Sequence, residues 1–282
     1  MEEFLQIRKT KLYEGYEKEY RFLQISDIHM ATVDNKSSQI DIEENNRVHK
    51  QWGTLKAEFA KKAGELCDER YDLEPNILLE SLIDYALDFE MDAIIFSGDI
   101  MDRVSETNIR YIKNLIKEIP LRIIYCPGNH EHMNENGEYI NQYDRLKDII
   151  KNPDFAVYPL DDFDIVAIDN GRKVITDNQL AAFEEKLKED RKIMLVLHAP
   201  LNLGEFGEEL SGKISPYFLQ GVSGDCENAF KFNKLVCEND DKIIAVLAGH
   251  IHFFAEGKIT DKLTQYTTSS GLIGAGREIV IK

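Results

Sequence analysis

Six short apolar runs constrain this chain more than any other feature. They are FLQIS (22–26), AIIFS (93–97), RIIYC (122–126), FDIVAID (163–169), IMLVL (193–197) and IIAVLA (243–248). Each is rich in β-branched or aromatic residues and too short for a buried helix, so each reads as a strand. Helical periodicity fills the gaps. Residues 76–90 place Ile77, Leu78, Leu82, Tyr85, Ala86 and Phe89 on one broad face. Residues 105–119 begin at a Ser105 cap and bury Ile109, Ile112, Leu115, Ile116 and Ile119. Residues 176–190 open with Thr176 and Gln179 at capping-box spacing, followed by Leu180, Phe183 and Leu187. Strands alternating with helices make an α/β chain. The stretch from KITDKLTQYTTSS (258–270) to REIVIK (277–282) reads as β-rich.

One segment interrupts the alternation. Within residues 31–75, Val48, Trp52, Leu55, Phe59, Ala63 and Leu66 recur at helical spacing, which predicts a helix despite Gly53. It is either an extra packed helix or a lid beside the site that precedes it. No Pro/Gly/Ser-rich linker cuts the 282 residues, so we expect one domain over 1–282 with a helical insertion around 31–75.

Composition excludes several classes. A formal net charge of −17 argues against a duplex nucleic-acid binder, whose affinity comes from cations on phosphate. No apolar stretch approaches the roughly 18 residues of a membrane helix. The first twenty residues are charged throughout, with no signal-peptide core, so the expected compartment is the cytoplasm, with no membrane partner. Cys67, Cys126, Cys226 and Cys237 are scattered, as reduced structural thiols would be.

The residues just past the strands carry the chemistry. FLQIS runs into Asp27-Ile28-His29, and AIIFS into Gly98-Asp99-Ile100-Met101-Asp102-Arg103. RIIYC runs through Pro127 into Gly128-Asn129-His130-Glu131, IMLVL into His198-Ala199-Pro200, and IIAVLA into Gly249-His250-Ile251-His252. Any one cluster alone reads as a polar turn or a helix cap. Together they place five of the seven histidines where open α/β sheets bind ligands, beyond the carboxyl ends of strands. Carboxylate, imidazole and amide donors suit Mn²⁺, Fe²⁺ or Zn²⁺. About seven donors are too many for one such ion and right for two that share a carboxylate, the arrangement that clamps an in-line displacement at phosphorus.

The series D-x-H, G-D-x-x-D, G-N-H-E, a lone strand-end His and G-H-x-H, over residues 22–254, resembles the calcineurin-like metallophosphoesterases. The resemblance implies a four-layer α/β/β/α sandwich of two mixed sheets with two divalent ions (Mn²⁺, Fe²⁺/Fe³⁺ or Zn²⁺). Asp27, His29 and His252 resemble ligands of the first metal, Asp99 the bridging carboxylate, and Asn129, His198 and His250 ligands of the second. The implied reaction is attack on phosphorus by a hydroxide held between the ions. His130 would be the general acid, with Asp102 orienting its ring and keeping it cationic. Arg103 follows Asp102 as in the protein-phosphatase branch, where it contacts phosphate, but Val104 replaces the usual glycine. His132 is a weaker substrate-contact candidate, His49 reads as solvated, and Glu131 as a stabiliser of its loop.

A small phosphodiester or phosphomonoester is the expected substrate. A nuclease is disfavoured by the acidic charge, and a protein phosphatase by the lack of arginines in the other motifs. A non-catalytic scaffold of the same fold is the alternative from another class. Substrate choice is expected to lie in loops 31–75, 132–142 and 204–225, where Tyr217 and Phe218 could wall a base or an acyl group.

Overall fold

The computed structural model describes residues 5–63 and 73–282, the side chains of 52–63 excepted. All six expected strands form. The first sheet holds β1 (Gln6–Leu12), β2 (Tyr20–Ile25), β3 (Ala93–Phe96), β4 (Arg122–Tyr125) and β11 (Ala275–Ile281), in the order β1-β11-β2-β3-β4. The second holds β5 (Phe155–Pro159), β6 (Asp164–Ile168), β7 (Ile193–Val196), β8 (Ile243–Ala248), β9 (Ala255–Lys258) and β10 (Thr264–Thr267), in the order β5-β6-β7-β8-β10-β9. Both sheets are mixed: β2-β3-β4 and β6-β7-β8-β10 run parallel, while β11, β5 and β9 each contribute an antiparallel pairing.

The alternation of strand side chains builds the layers. Phe22, Ile95 and Ile124 of the first sheet meet Ile165, Met194, Val196, Ala245 and Leu247 of the second in a buried inter-sheet core. The opposite face of the first sheet carries Leu23, Ile94 and Phe96 under helices α2 (Pro75–Asp88) and α3 (Glu106–Glu118). The outer face of the second carries Val166, Leu195 and Val246 under α5 (Asp177–Lys188), α6 (Gly204–Ser211) and α7 (Glu227–Glu238); α4 (Tyr143–Leu146) is a single turn between the sheets in sequence. The result is the α/β/β/α sandwich.

The cap signals hold: Ser105 accepts from Asn108 N, and Thr176 and Gln179 form a reciprocal capping box. The apolar face of α2 is rotated from the expected one. Ile77 is exposed, while Leu79 and Ile83 are buried beside Leu78, Leu82, Tyr85 and Ala86, because the helix packs on the strands through its i, i+3, i+4 rows. The interrupting segment contains helix α1 (Gln39–Ala63), whose Val48 is buried against Ala31 and Leu272. The expected positions Trp52, Leu55, Phe59 and Ala63 lie where side chains are not described, and Leu66 outside the described residues. No helix among the described residues is long and apolar enough to cross a membrane.

Candidate metal centre

The parallel pairing of β2 and β3 continues past both strands. Asp27 N donates to Gly98 O, His29 N to Asp99 O and Met30 N to Ile100 O, each at 2.9 Å. The unspecified positions of the motifs anchor these loops: Ile28, Met30, Ile100 and Met101 are fully buried. Burying them turns Asp27, His29 and Asp99 the other way, toward the open end of the inter-sheet core. That requires backbone most residues avoid. Asp27, His29, Asp99, His250 and His252 all have positive φ, between 50° and 68°. Each such non-glycine residue costs about 1 kcal/mol or more, and strain of this kind gathers where a site fixes its side chains. Gly98 (φ +97°) and Gly128 are required by close approach, since a Cβ on them would sit 2.3 Å from His198 Nδ1 and 2.2 Å from Asp99 Oδ1.

The second sheet meets the first across this end. His250 N donates to Asp27 Oδ2 at 2.9 Å, Gln24 Nε2 to Ala248 O at 2.8 Å, and the His198 ring bonds Ser97 O through Nδ1 at 2.8 Å. Because Ser97 O only accepts, Nδ1 of His198 carries a proton and Nε2 faces inward. Glu131 stitches two motif loops together. Its buried carboxylate accepts from the backbone N–H of Asp99 (2.7 Å), Ile100 (2.9 Å), Met101 (3.0 Å) and Gly128 (2.8 Å), and from the Tyr125 hydroxyl (2.9 Å).

The donors collect in two groups. In one, His252 Nε2 lies 3.1 Å from Asp27 Oδ1 and 3.2 Å from His29 Nε2. In the other, His198 Nε2 lies 3.2 Å from Asp99 Oδ2, 3.1 Å from Asn129 Oδ1 and 3.1 Å from His250 Nδ1. Asp99 Oδ2 is also 4.0 Å from His29 Nε2, which puts this carboxylate between the groups. Asp27 Oδ1 is buried and accepts no hydrogen bond among the described residues. Imidazole nitrogens facing each other at such distances share one proton at most; a cation takes the lone pairs of both. Asp27, His29 and His252 offer atoms within 4.8 Å of one another, as do Asp99, His198 and His250. These residues fit divalent cations of the borderline kind.

Burial alone would raise the Asp27 and Asp99 carboxyls, but His252 beside the first and His198 and His130 beside the second hold both well below the usual carboxylate range. Burial would lower the His198 ring; Asp99 outweighs it and pushes the pKa up to about 10. His250, buried beside that cation, falls to about 3.

His130 lines the same cavity, with its ring 4.4 Å from that of His29. Burial would lower its pKa, yet Asp99 and Asp102 raise it to about 9. Its Nδ1 donates to the backbone carbonyl of Asp102 at 2.8 Å, with the carboxylate farther off at 3.5 Å. Asp102 therefore orients the ring through its main chain. Its carboxylate is shared between the Nδ1 atoms of His29 and His130, both 3.5 Å from Oδ1, and the Arg47 guanidinium, 2.5 Å from Oδ2.

Arg47 and its partner Glu44 come from α1, and no sequence pattern points to either. Arg103 is drawn into the same network. It pairs with Glu44 at 2.9 Å and donates to Glu135 O at 3.0 Å, and it does not line the metal-facing cavity. His132 is turned away as well, bonded through Nε2 to Asp169 Oδ2 at 2.7 Å. His49, on α1, is half-exposed and 4.0 Å from Glu74. The sixth strand end, Asp169-Asn170-Gly171 after β6, also serves the site: Asn170 Oδ1 accepts from the N–H of His198 and Ala199. A polar Asx-Gly turn at the end of FDIVAID was the available signal.

The calcineurin-like phosphoesterase family matches residues 20–254. The chain belongs to that family. Over 113 residues it is 29% identical to a protein of Fibrobacter succinogenes named as a probable cyclic nucleotide phosphodiesterase. Over 175 residues it is 23% identical to a protein so named in Coxiella burnetii. These stretches cover 39% and 59% of this chain and 43% and 62% of those relatives. The crystal structure of a dimetal phosphatase from Danio rerio shares the fold, with a TM-score of 0.56 at 11% identity over 90% of this chain and 88% of that one.

Proposed function

We propose that this protein is a dinuclear-metal phosphoesterase acting on a small phosphodiester or phosphomonoester, with His130 as general acid. One observation carries the reading: two groups of lone-pair donors meet at Asp99, and a cationic imidazole shares their cavity. Asp27, His29 and His252 would hold one cation, Asn129, His198 and His250 the other, and Asp99 both. When bound, two such ions acidify water and neutralise charge on the phosphoryl oxygens.

The protein's own residues supply the rest. The Nδ1 proton of His130 is committed to the Asp102 carbonyl, so the proton it can deliver is on Nε2. Asp99 and Asp102 push its pKa up, which favours keeping that proton in place at neutral pH, ready for the leaving oxygen. The cavity, about 270 Å³, is walled by Ile214, Phe218, Ile251 and Phe253, which limit water around the reacting groups. It suits a small ester rather than a protein surface, and the engagement of Arg103 by Glu44 weakens the protein-phosphatase alternative. The names of the two relatives favour a nucleotide diester.

The test compares bis(p-nitrophenyl) phosphate with p-nitrophenyl phosphate, using protein stripped by chelator and restored with Mn²⁺. Manganese-dependent turnover of the diester, lowered by about 10²-fold or more in His130→Ala, is the expected result. Turnover of the monoester alone would assign phosphatase substrates instead. No turnover of either by fully metallated protein would contradict the reading.

A further inference from the structure

A second groove, about 390 Å³, opens directly from the metal-facing cavity and shares Asn129, Phe218 and His250 with it. The rest of its lining differs in kind: two tyrosines, Tyr139 and Tyr217, and two cations, Arg172 and Lys173. Two consecutive cations beside the site stand out in a chain with 51 acidic residues against 34 basic ones.

The two cations are not equivalent. Lys173 has positive φ (56°), with its N–H bonded to Asn170 O at 2.7 Å in a tight turn. Its Nζ is 3.2 Å from Asp225 Oδ1 and 4.3 Å from the centre of the Tyr217 ring. Lys173 is thus occupied in holding the 204–225 loop, and with it an exposed tyrosine, beside the groove. Arg172 is exposed and makes no hydrogen bond or ion pair with any described residue. The carboxylate on its own turn is already taken, since Asp169 accepts from His132, Tyr143 (2.6 Å) and the Gly171 N–H (2.9 Å). A strained turn beside a site thus sets an aromatic wall and presents a guanidinium in the same groove.

We infer that Arg172 receives a second phosphate of the substrate, with an aromatic base lying between it and the scissile phosphate along Tyr217 and Phe218. The inference rests on the phosphoesterase reading and narrows its substrate class to nucleotides that carry a phosphate besides the one cleaved. A guanidinium suits that group because it binds phosphate oxygens in pairs. Aromatic side chains suit the base because every base has a face to stack. A nucleotide with a single phosphate would place it at the metals and leave Arg172 without a partner.

The experiment measures binding of two probes, adenylyl-adenosine with and without a 5′-phosphate, to Mn²⁺-loaded His130→Ala protein by calorimetry. We expect the 5′-phosphorylated dinucleotide to bind about tenfold tighter or more. Adding Arg172→Ala should bring the ratio close to one, and Arg172→Lys should keep part of it. Tyr217→Ala should weaken both dinucleotides together. Equal binding of the two probes by the parent protein, or a ratio that survives Arg172→Ala, would overturn the inference. The binding ratio does not depend on turnover, so failure of the parent enzyme to hydrolyse bis(p-nitrophenyl) phosphate counts against the general reading alone.

Discussion

The metal-facing cavity and the groove beside it are built to different standards. In the inner cavity, Asp27, His29, Asp99 and His198 are essentially inaccessible to solvent, the first three sit on strained backbone, and main-chain hydrogen bonds fix the His198 ring and the Asp27 and Asp99 carboxylates. In the outer groove, Tyr139 is 52% exposed, Tyr217 71% and Phe218 40%. Reacting groups must be held to fractions of an ångström, and the fold provides this by extending a parallel sheet into its loops. Selectivity tolerates looser parts on the surface, where exchanging a side chain costs little stability.

Substitutions should separate the two regions by size of effect. The largest belongs to Asp99, between the two donor groups. Asp99→Asn should lower turnover by about 10³-fold or more and reduce bound metal below two ions per chain, read by elemental analysis. His130→Ala should cost about 10²–10⁴-fold in kcat while bound metal stays at the parent level, because this ring is assigned to the acid and not to the metals. The required form of His130 is the protonated one. Activity should therefore be retained below its pKa and fall as pH rises through a limb at or below about 9, since nearby metal charge acts against the raised value. A pH–rate profile in which His130→Ala loses that limb checks the assignment.

Arg47→Met tests whether α1 belongs to the inner region. It removes the ion pair to Asp102 and should cost about 10-fold in kcat with little change in KM. The smallest effect should come from Phe218→Ala in the outer region. Its ring is 5.5 Å from that of His250, and truncation should raise KM a few-fold for aromatic esters and leave kcat near the parent value. An equal loss of kcat at Phe218 and at His130 would erase the distinction between the regions.

The same division separates what the sequence discloses from what it hides. All six apolar runs became strands, and the helices with capping signals began where Ser105 and Thr176 placed them. The inner donors were legible because each sits within a few residues of a strand end, so short-range pattern and topology fix its position. Ile77 was misjudged because an amphipathic face is set to within one residue by the surface it meets, which periodicity does not contain. Arg47 and Glu44 were invisible for a related reason. They reach Asp102 and Arg103 across a long sequence separation, on a helix whose docking depends on Val48, Ala31 and Leu272. Arg103 looked available for phosphate only while its partner on α1 was unknown. Asp102 and His130 lie side by side, but the shorter link between them runs through a carbonyl, which no side-chain pattern encodes.

The most direct measurement titrates chelator-stripped protein with Mn²⁺ and follows bound metal and bis(p-nitrophenyl) phosphate turnover in the same samples. We expect two ions per chain, with turnover appearing as the second ion binds, and no second equivalent in Asp99→Asn. Full turnover with one ion or none, or in Asp99→Asn at parental rate, would contradict the shared dinuclear centre.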